Sequence, residues 1–240
     1  MKLLVSDYDQ TLSMDDITIK FNINKINEFR KNGNLFMIST GRNYESISKE
    51  IKKYNIEYDY LSCSDGATLY SSENKPIFAS KLNYEDNKIV DYLKLKYKNK
   101  INIINTNSDG DKLPEEKVIE IKDSNYKEII KDIKQYFERY LNNSNYFIWH
   151  RRIYITPKNI NKSTTINYLE EKLNISKSEI FTIGDHNNDF EMIKDYNGFT
   201  MLWGTKKAKQ YALKQYMIMS NLITDIEKNS EKFVKKLRFK

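Results

Sequence analysis

Short apolar runs alternate with stretches of helix-spaced apolar residues over the first quarter of the chain. Residues 2–6, 35–38 and 58–62 have the composition of strands, and the run at 35–38 is continuous, as in a strand buried on both faces. Between them, residues 23–31 and 44–54 are predicted to be helices from their apolar spacing. Strands and helices in alternation predict an open parallel sheet with right-handed crossovers.

The pattern changes in the middle of the chain. A predicted hairpin is followed by helix, two strands, helix and two strands, which is typical of an α+β unit with an antiparallel sheet. The hairpin covers residues 67–70 and 76–80, and the later elements cover 85–96, 101–105, 117–121, 126–141, 146–150 and 153–156.

The first pattern returns after Pro157. Helices are predicted at 163–173 and 189–194, and strands at 180–183, 200–202 and 217–219. We therefore predict an α/β fold, with a Rossmann-like three-layer parallel-sheet core and an inserted α+β cap domain. The predicted core is residues 1–81 and 157–240, and the predicted cap is residues 82–156.

Composition narrows the class of protein. The chain has 240 residues and 13% aromatic residues, enough to form its own hydrophobic core. A single cysteine, Cys63, excludes an intramolecular disulfide. Asp7 interrupts the N-terminal apolar run, and no run reaches the roughly 18 apolar residues of a membrane helix, so we expect a cytoplasmic protein without a membrane partner.

The net charge of +7 has two interpretations. It is typical of proteins with an anionic partner, such as nucleic acid, a membrane surface or a phosphorylated metabolite. It also fits a lysine-rich composition spread over helix surfaces, because lysines are interleaved with Asp and Glu along the chain. We favour the second interpretation, and only the tail from Lys228 to Lys240 is clearly basic.

Four polar motifs follow predicted strands or begin a helix. Asp7 and Asp9 come after the first strand, and side chains two apart on an extended chain point the same way. Two carboxylates this close stay ionised only with a cation nearby, so a Mg²⁺ site is one interpretation. The other is a turn in which two aspartates, with Thr11, stabilise a helix start.

The second motif, residues 39–42, ends in Thr40, Gly41 and Arg42. A hydroxyl, a glycine and a helix N-terminus together form an anion site, but the same residues are also ordinary turn chemistry. The third motif is Lys162 at a helix start, where the helix dipole disfavours a cation. Such a lysine needs an anionic partner or points into water.

The fourth motif, residues 184–189, contains Asp185, Asn188 and Asp189. Its oxygen-rich composition favours a hard cation over zinc. His186 lies between these residues but is not required, because its neighbours supply enough ligands.

In this order, the four motifs resemble those of the haloacid dehalogenase superfamily of phosphohydrolases over nearly the whole chain. The insert resembles the type-two-B cap of that superfamily. Residues 184–189, together with residues 64–67, look like the Cof-like subfamily. The resemblance implies a Mg²⁺-dependent phosphatase that acts on small phosphorylated metabolites, with sugar phosphates expected, through an aspartyl-phosphate intermediate.

The resemblance also implies which residues react with and bind the phosphoryl group. Asp7 would be the nucleophile, and Asp9 the general acid and then the general base. Lys162 would neutralise charge on the nucleophile and the phosphate. The remaining phosphate-binding groups would be Thr40, Gly41, Arg42 and Asn188.

The implied metal ligands overlap with these residues. Asp185 would bind Mg²⁺ together with the Asp7 carboxylate and the Asp9 backbone carbonyl. Asp189 would support the metal shell or orient Lys162.

Three positions depart from the family pattern. Gln10 stands where many relatives have Gly, Asp65 where Cof-like sequences have Asn, and Trp203 lies in Met-Leu-Trp-Gly instead of Met-Gly-Asn-Ala. An additional carboxylate near a phosphate site either repels phosphate or recruits a different substrate group. Substrate specificity is expected in the cap, from the loop at residues 107–112 and from His150, Arg151 and Arg152.

Two other functions stay open from sequence. A phosphosugar mutase would use the same residues but protect the aspartyl phosphate from water. A non-catalytic module that binds nucleic acid or another anion would not need the Asp7–Asp9 pair, so we expect no nucleic-acid partner. The sequence identifies neither the substrate nor the oligomeric state.

Overall fold

The computed structural model describes residues 1–108 and 114–229, and these divide into two compact units. The first unit consists of Met1–Ile77 and the chain from Asn161 onwards, and the second is Phe78–Ile160. The domain boundaries predicted at 81/82 and 156/157 each lie four residues from the boundaries between these two units. The tail beyond Asn229 and most of the loop at 107–112 lie outside the described residues.

The first unit is an α/β sandwich built on an eight-stranded sheet. The strands are β1 Leu3–Ser6, β2 Leu35–Ser39, β3 Tyr60–Cys63, β4 Thr68–Ser71, β5 Pro76–Ala79, β10 Ile180–Gly184, β11 Asn197–Met201 and β12 Gln215–Tyr216. Their order in the sheet is β12-β11-β10-β1-β2-β3-β4-β5. Neighbouring strands run parallel from β12 to β3, and β4 is antiparallel to β3. The helices are α1 Thr18–Lys31, α2 Tyr44–Tyr54, α5 Lys162–Leu173, α6 Phe190–Asp195, α7 Lys206–Tyr211 and α8 Met219–Asn229.

Helices cover both faces of this sheet. The alternation of side chains along a strand sends Leu4 and Phe36 to a hydrophobic core shared with α1, α2 and α8. On α5, Thr165 hydrogen-bonds Ser62 of β3 at 2.8 Å. These three layers confirm the predicted fold class.

The second unit is a four-stranded antiparallel sheet with two helices. Its strands are β6 Ile101–Thr106, β7 Glu116–Ile121, β8 Ser144–Trp149 and β9 Arg152–Pro157, in the order β6-β7-β9-β8. Its helices are α3 Tyr84–Tyr97 and α4 Tyr126–Tyr140. Val90 of α3 and Ile133 of α4 are buried in one core with Ile119 and Ile153 of the sheet. The predicted α+β organisation of the insert is therefore confirmed.

One predicted strand is wrong. Residues 217–219 do not form a strand: β12 ends at Tyr216, and Met219 begins α8. The run Met-Ile-Met has the composition of a short buried strand, but Met219 belongs to a helical set with Leu222, Ile223 and Ile226, all fully buried.

The structure also separates the two predicted specificity segments within the second unit. His150 and Arg151 form the turn between β8 and β9. The loop that begins at Asn107 follows the opposite end of β6, whose Thr106 pairs with Glu116. A six-residue strand is roughly 20 Å long, so one small ligand does not contact both ends of this sheet.

Candidate active site

The turn after β1 begins with a buried aspartate and then bends sharply. The Asp7 backbone N–H donates to the Ile183 carbonyl of β10 at 2.9 Å, which extends the sheet by one residue. Gln10 then takes a left-handed conformation with φ 61°, and the Leu12 N–H returns to the Asp7 carbonyl at 3.2 Å. The side chains of Asp7 and Asp9 stand in different environments beside this loop: that of Asp7 is 9% exposed, whereas that of Asp9 is 52% exposed.

Asp7 is paired with a fully buried lysine. The Nζ of Lys162 lies 2.6 Å from Asp7 Oδ1 and 2.6 Å from Asp189 Oδ1. Burial alone would lower the pKa of Lys162, but the charges of Asp189 and Asp7 outweigh burial and raise that pKa above its usual value. Lys162 is therefore a fixed cation, and the predicted requirement for an anionic partner is met twice.

Helix α5 places this lysine. Asn161 caps the helix by accepting from the Ser163 N–H at 2.8 Å, and the Thr164 hydroxyl accepts from the Asn161 N–H at 3.1 Å. Such a reciprocal cap fixes the first turn, where Lys162 stands. The unfavourable dipole is offset by the two carboxylates that Lys162 contacts.

Asp189 is held from both sides. Its Oδ2 accepts from the backbone N–H groups of Asp185 at 2.9 Å and His186 at 2.8 Å, while its Oδ1 contacts Lys162. A Cβ atom at Gly184 would stand 2.3 Å from the Asp189 carboxyl carbon. Only glycine leaves room for this carboxylate at the end of β10.

Three carboxylates form the candidate metal centre. One oxygen each from Asp7, Asp185 and Asp189 lies within 4.8 Å of the others. Burial, followed by charge from neighbouring carboxylates, raises the pKa of Asp7 well above its usual value, although Lys162 opposes the shift. Burial also raises the pKa of Asp185. Such carboxylates are poorly compensated by one lysine, so the donor set fits a hard divalent cation.

The three carboxylates are not equally available to a metal. Within residues 1–108 and 114–229, both oxygens of Asp189 accept hydrogen bonds, whereas only Oδ1 of Asp185 does, from the Thr11 hydroxyl at 2.8 Å. Of the two roles considered for Asp189, this geometry favours orienting Lys162. Asp7 and Asp185 are the better candidates for the metal.

Asp9 has a different partner. The Arg42 guanidinium makes a two-pronged contact with it, with Nε at 2.8 Å from Oδ2 and Nη2 at 2.6 Å from Oδ1. Arg42 also lies 3.7 Å from Glu50 and over the ring of Tyr8. The phosphate-binding role predicted for Arg42 therefore requires this guanidinium to share its donors with Asp9.

Thr40 and Gly41 follow β2 on the same edge of the sheet. The Thr40 side chain is buried, and its hydroxyl oxygen accepts from the Arg42 N–H at 3.1 Å. The Asn188 amide does not point into open space: its Nδ2 donates to Asp65 Oδ1 at 2.8 Å. The structure thus brings Asp65 to the predicted phosphate-binding groups.

Sequence reasoning missed two supporting contacts. The sequence predicts Thr11 as part of a helix start, but its hydroxyl links the β1 loop to Asp185. Trp203 departs from the family pattern, and its indole Nε1 donates to the Gln10 carbonyl at 3.0 Å. The spacing Asp-x-Asp-x-Thr was a signal for the first contact, and nothing in the sequence indicated the second.

Comparison with known proteins identifies the family of this chain. The model of the haloacid dehalogenase-like hydrolases matches residues 4–110 and 92–221. The chain belongs to this family. An uncharacterised protein of Mycoplasma capricolum is 26% identical, with 80% of this chain and 87% of the relative aligned.

Solved structures share the fold at low sequence identity. A haloacid dehalogenase-like hydrolase from Bacteroides thetaiotaomicron has a TM-score of 0.79 and 18% identity, covering 94% of this chain and 99% of its own. A subclass IIB sugar phosphatase, BT4131, has a TM-score of 0.70 and 16% identity, covering 95% and 98%. No helix within residues 1–108 and 114–229 is long and apolar enough to cross a membrane.

Proposed function

We propose that this protein is a Mg²⁺-dependent phosphohydrolase that cleaves small phosphorylated metabolites through a phosphoryl-Asp7 intermediate. The observation that carries this proposal is the buried Asp7 carboxylate, 2.6 Å from Lys162 and clustered with Asp185 and Asp189. A carboxylate that approaches a phosphate dianion is repelled by it, so the reaction needs positive charge beside both anions. The Lys162 ammonium supplies that charge next to the Asp7 carboxylate.

In the first step, an Asp7 carboxylate oxygen attacks phosphorus and the bond between phosphorus and the ester oxygen breaks. The electron pair leaves with the ester oxygen, and Asp9, as the general acid, donates a proton to form the alcohol. Exposure of the Asp9 side chain allows it to reach a leaving group of variable size. Arg42 holds the Asp9 carboxylate through two hydrogen bonds, so one Asp9 oxygen must leave Arg42 when Asp9 carries the proton.

In the second step, water attacks the phosphorus of the phosphorylated Asp7. Asp9, now ionised, accepts a proton from that water, the bond between phosphorus and the Asp7 oxygen breaks, and inorganic phosphate leaves. Lys162 stays protonated throughout, because Asp189 and Asp7 favour its charged form. Thr40, the Gly41 backbone and Asn188 hold the other phosphoryl oxygens.

Magnesium would be held by Asp7, Asp185 and the Asp9 backbone carbonyl, with Asp189 supporting the site. When bound, it supplies charge neutralisation for the nucleophile and the phosphoryl oxygens. The proposal of sugar phosphates as substrates rests on the resemblance to the subclass IIB sugar phosphatase BT4131.

The test is phosphate release from an aryl phosphate by wild type and by Asp7→Asn, each with Mg²⁺ and with EDTA. Asp195→Asn is the matched control, because Asp195 is an exposed aspartate at the end of α6. We expect Mg²⁺-dependent release by wild type and Asp195→Asn, and none by Asp7→Asn. Absence of release from the aryl ester and from a panel of phosphorylated metabolites would contradict the proposal.

A further inference from the structure

An additional carboxylate, Asp65, lies among the predicted phosphate-binding groups. It stands in a short 3₁₀ turn, residues 64–66, that follows β3. The Asp65 N–H donates to the Thr40 carbonyl at 3.1 Å, and the Ser64 N–H donates to the Arg42 carbonyl at 2.9 Å. Two hydrogen bonds therefore fasten this turn to the Thr40–Arg42 segment.

The backbone conformation directs the Asp65 side chain toward that segment. Ser64 and Asp65 have φ values of 50° and 53°, in the left-handed region that non-glycine residues rarely adopt. Aspartate and asparagine tolerate it better than most other residues, because their short polar side chains bond locally. Asparagine is therefore a close steric substitute for Asp65 in this turn.

The Asp65 carboxylate lies between two predicted phosphate ligands. Its Oδ1 accepts from Asn188 Nδ2 at 2.8 Å, and both of its oxygens are 3.2–3.3 Å from the position that a Cβ on Gly41 would take. Burial raises the pKa of Asp65, with Lys162 and the Asn188 hydrogen bond acting in the opposite direction. The hydrogen bond from Asn188 and the closeness to Gly41 place this carboxyl group where the proposed phosphoryl group would be bound.

We propose that the charge of Asp65 weakens the binding of phosphate dianions and of the inorganic phosphate product. The Asn188 amide donates to Asp65, so a phosphoryl group must compete with the Asp65 carboxylate for this hydrogen-bond donor. This inference rests on the proposed function and goes beyond it. It states that wild type, with Asp65, binds phosphate more weakly than the same site would with an asparagine at position 65.

The expected effect is large because the two charges are close. Like charges a few ångströms apart in a partly buried site interact by several times thermal energy, which corresponds to a change of at least about tenfold in a dissociation constant. Asp65→Asn removes the charge, keeps the side-chain size and still supplies an oxygen to Asn188. We expect this variant to bind inorganic phosphate at least about tenfold more tightly than wild type.

The experiment titrates inorganic phosphate into wild type, Asp65→Asn and Asp195→Asn by calorimetry, with Mg²⁺ at saturation. Asp195→Asn changes the net charge equally but at an exposed position away from this turn. Tighter binding by Asp65→Asn alone is the result expected. Equal or weaker binding by Asp65→Asn would overturn the inference.

A second variant separates charge from structure. Asp65→Ala removes both the charge and the acceptor for Asn188, so we expect tighter phosphate binding than wild type together with a lower thermal midpoint. If both variants lower the thermal midpoint and neither tightens phosphate binding, Asp65 is structural only. If wild type releases phosphate but Asp65→Asn binds phosphate no more tightly, the inference about Asp65 fails and the proposed function stands. If no variant binds or releases phosphate, both fail.

Discussion

The two aspartates of the β1 loop stand in opposite environments, although only one residue separates them. Asp7 is buried against a lysine that is 0% exposed, and it belongs to a cluster of three carboxylates. Asp9 is half-exposed and paired with Arg42, whose side chain is 31% exposed. We call Asp7 and Lys162 the buried side of the site and Asp9 and Arg42 its open side. The buried side is held in place by its ion pair, and the open side is accessible to solvent.

This difference matches the two kinds of chemistry proposed for the site. A nucleophile gains from rigid positioning and charge neutralisation, which burial strengthens. A group that gives a proton to an alcohol and takes one from water must reach both, which requires exposure. The two aspartates differ because the chain folds back directly after β1, where the Leu12 N–H donates to the Asp7 carbonyl and the Ser13 N–H to the Tyr8 carbonyl.

The largest expected effect comes from breaking the ion pairs on the two sides. Lys162→Met leaves Asp7 and Asp189 buried without their cation, so we expect a loss of about 3–5 kcal/mol in the free energy of unfolding and loss of activity. Arg42→Met breaks a partly exposed pair, for which about 1 kcal/mol or less is expected. Urea denaturation of both variants measures the contrast, and equal losses would show that the two sides do not differ in this way.

A smaller effect is expected from metal binding. Because Asp7 and Asp185 have raised pKa values without a cation, Mg²⁺ is expected to stabilise the folded state, by about 2.7 kcal/mol at a hundredfold excess over its dissociation constant. Thermal unfolding with and without Mg²⁺ measures this. Asp185→Asn should abolish the stabilisation, whereas Asp9→Asn should retain it, because only the Asp9 backbone carbonyl is proposed as a ligand. The opposite ranking would place the metal on the open side.

The smallest effect is expected at Trp203. Its indole N–H donates to the carbonyl of Gln10, the residue that follows Asp9 in the β1 loop. Trp203→Phe keeps an aromatic ring but removes the donor, which is worth roughly 1 kcal/mol, so kcat should fall several-fold with KM little changed. Leu202→Ala, at an exposed neighbour in the same loop, is the control. A change in KM without a change in kcat would instead indicate that Trp203 contacts substrate.

The sequence was sufficient to predict the architecture because both strand periodicity and helix spacing are local signals. Helix α2 lies at Tyr44–Tyr54, as predicted, and the antiparallel unit has the predicted order of helices and strands. The C-terminal part was predicted less well. Met219 begins a helix rather than ending a strand, since a three-residue apolar run does not distinguish the two periods.

The candidate site was predictable only as far as it depends on strand ends. Parallel strands bring their carboxyl ends to one edge, so Asp7, Thr40 and Asp185 were predicted to lie together. The partners of Arg42 and Asn188 were not predictable, because side-chain pairing depends on loop conformations such as the left-handed Gln10 and Asp65. The role of Trp203 likewise depends on a backbone carbonyl, which has no sequence signature.

The most direct test of the central claim uses Asp9→Asn with an aryl phosphate. An aryl leaving group departs without a proton, so phosphorylation should continue while hydrolysis, which needs Asp9 as base, should slow. Rapid acid quenching and mass spectrometry should then find one phosphoryl group on Asp7. Continued phosphate release without any phosphoryl group on Asp7, or undiminished release by Asp7→Asn, would contradict the assignment of the buried aspartate as nucleophile.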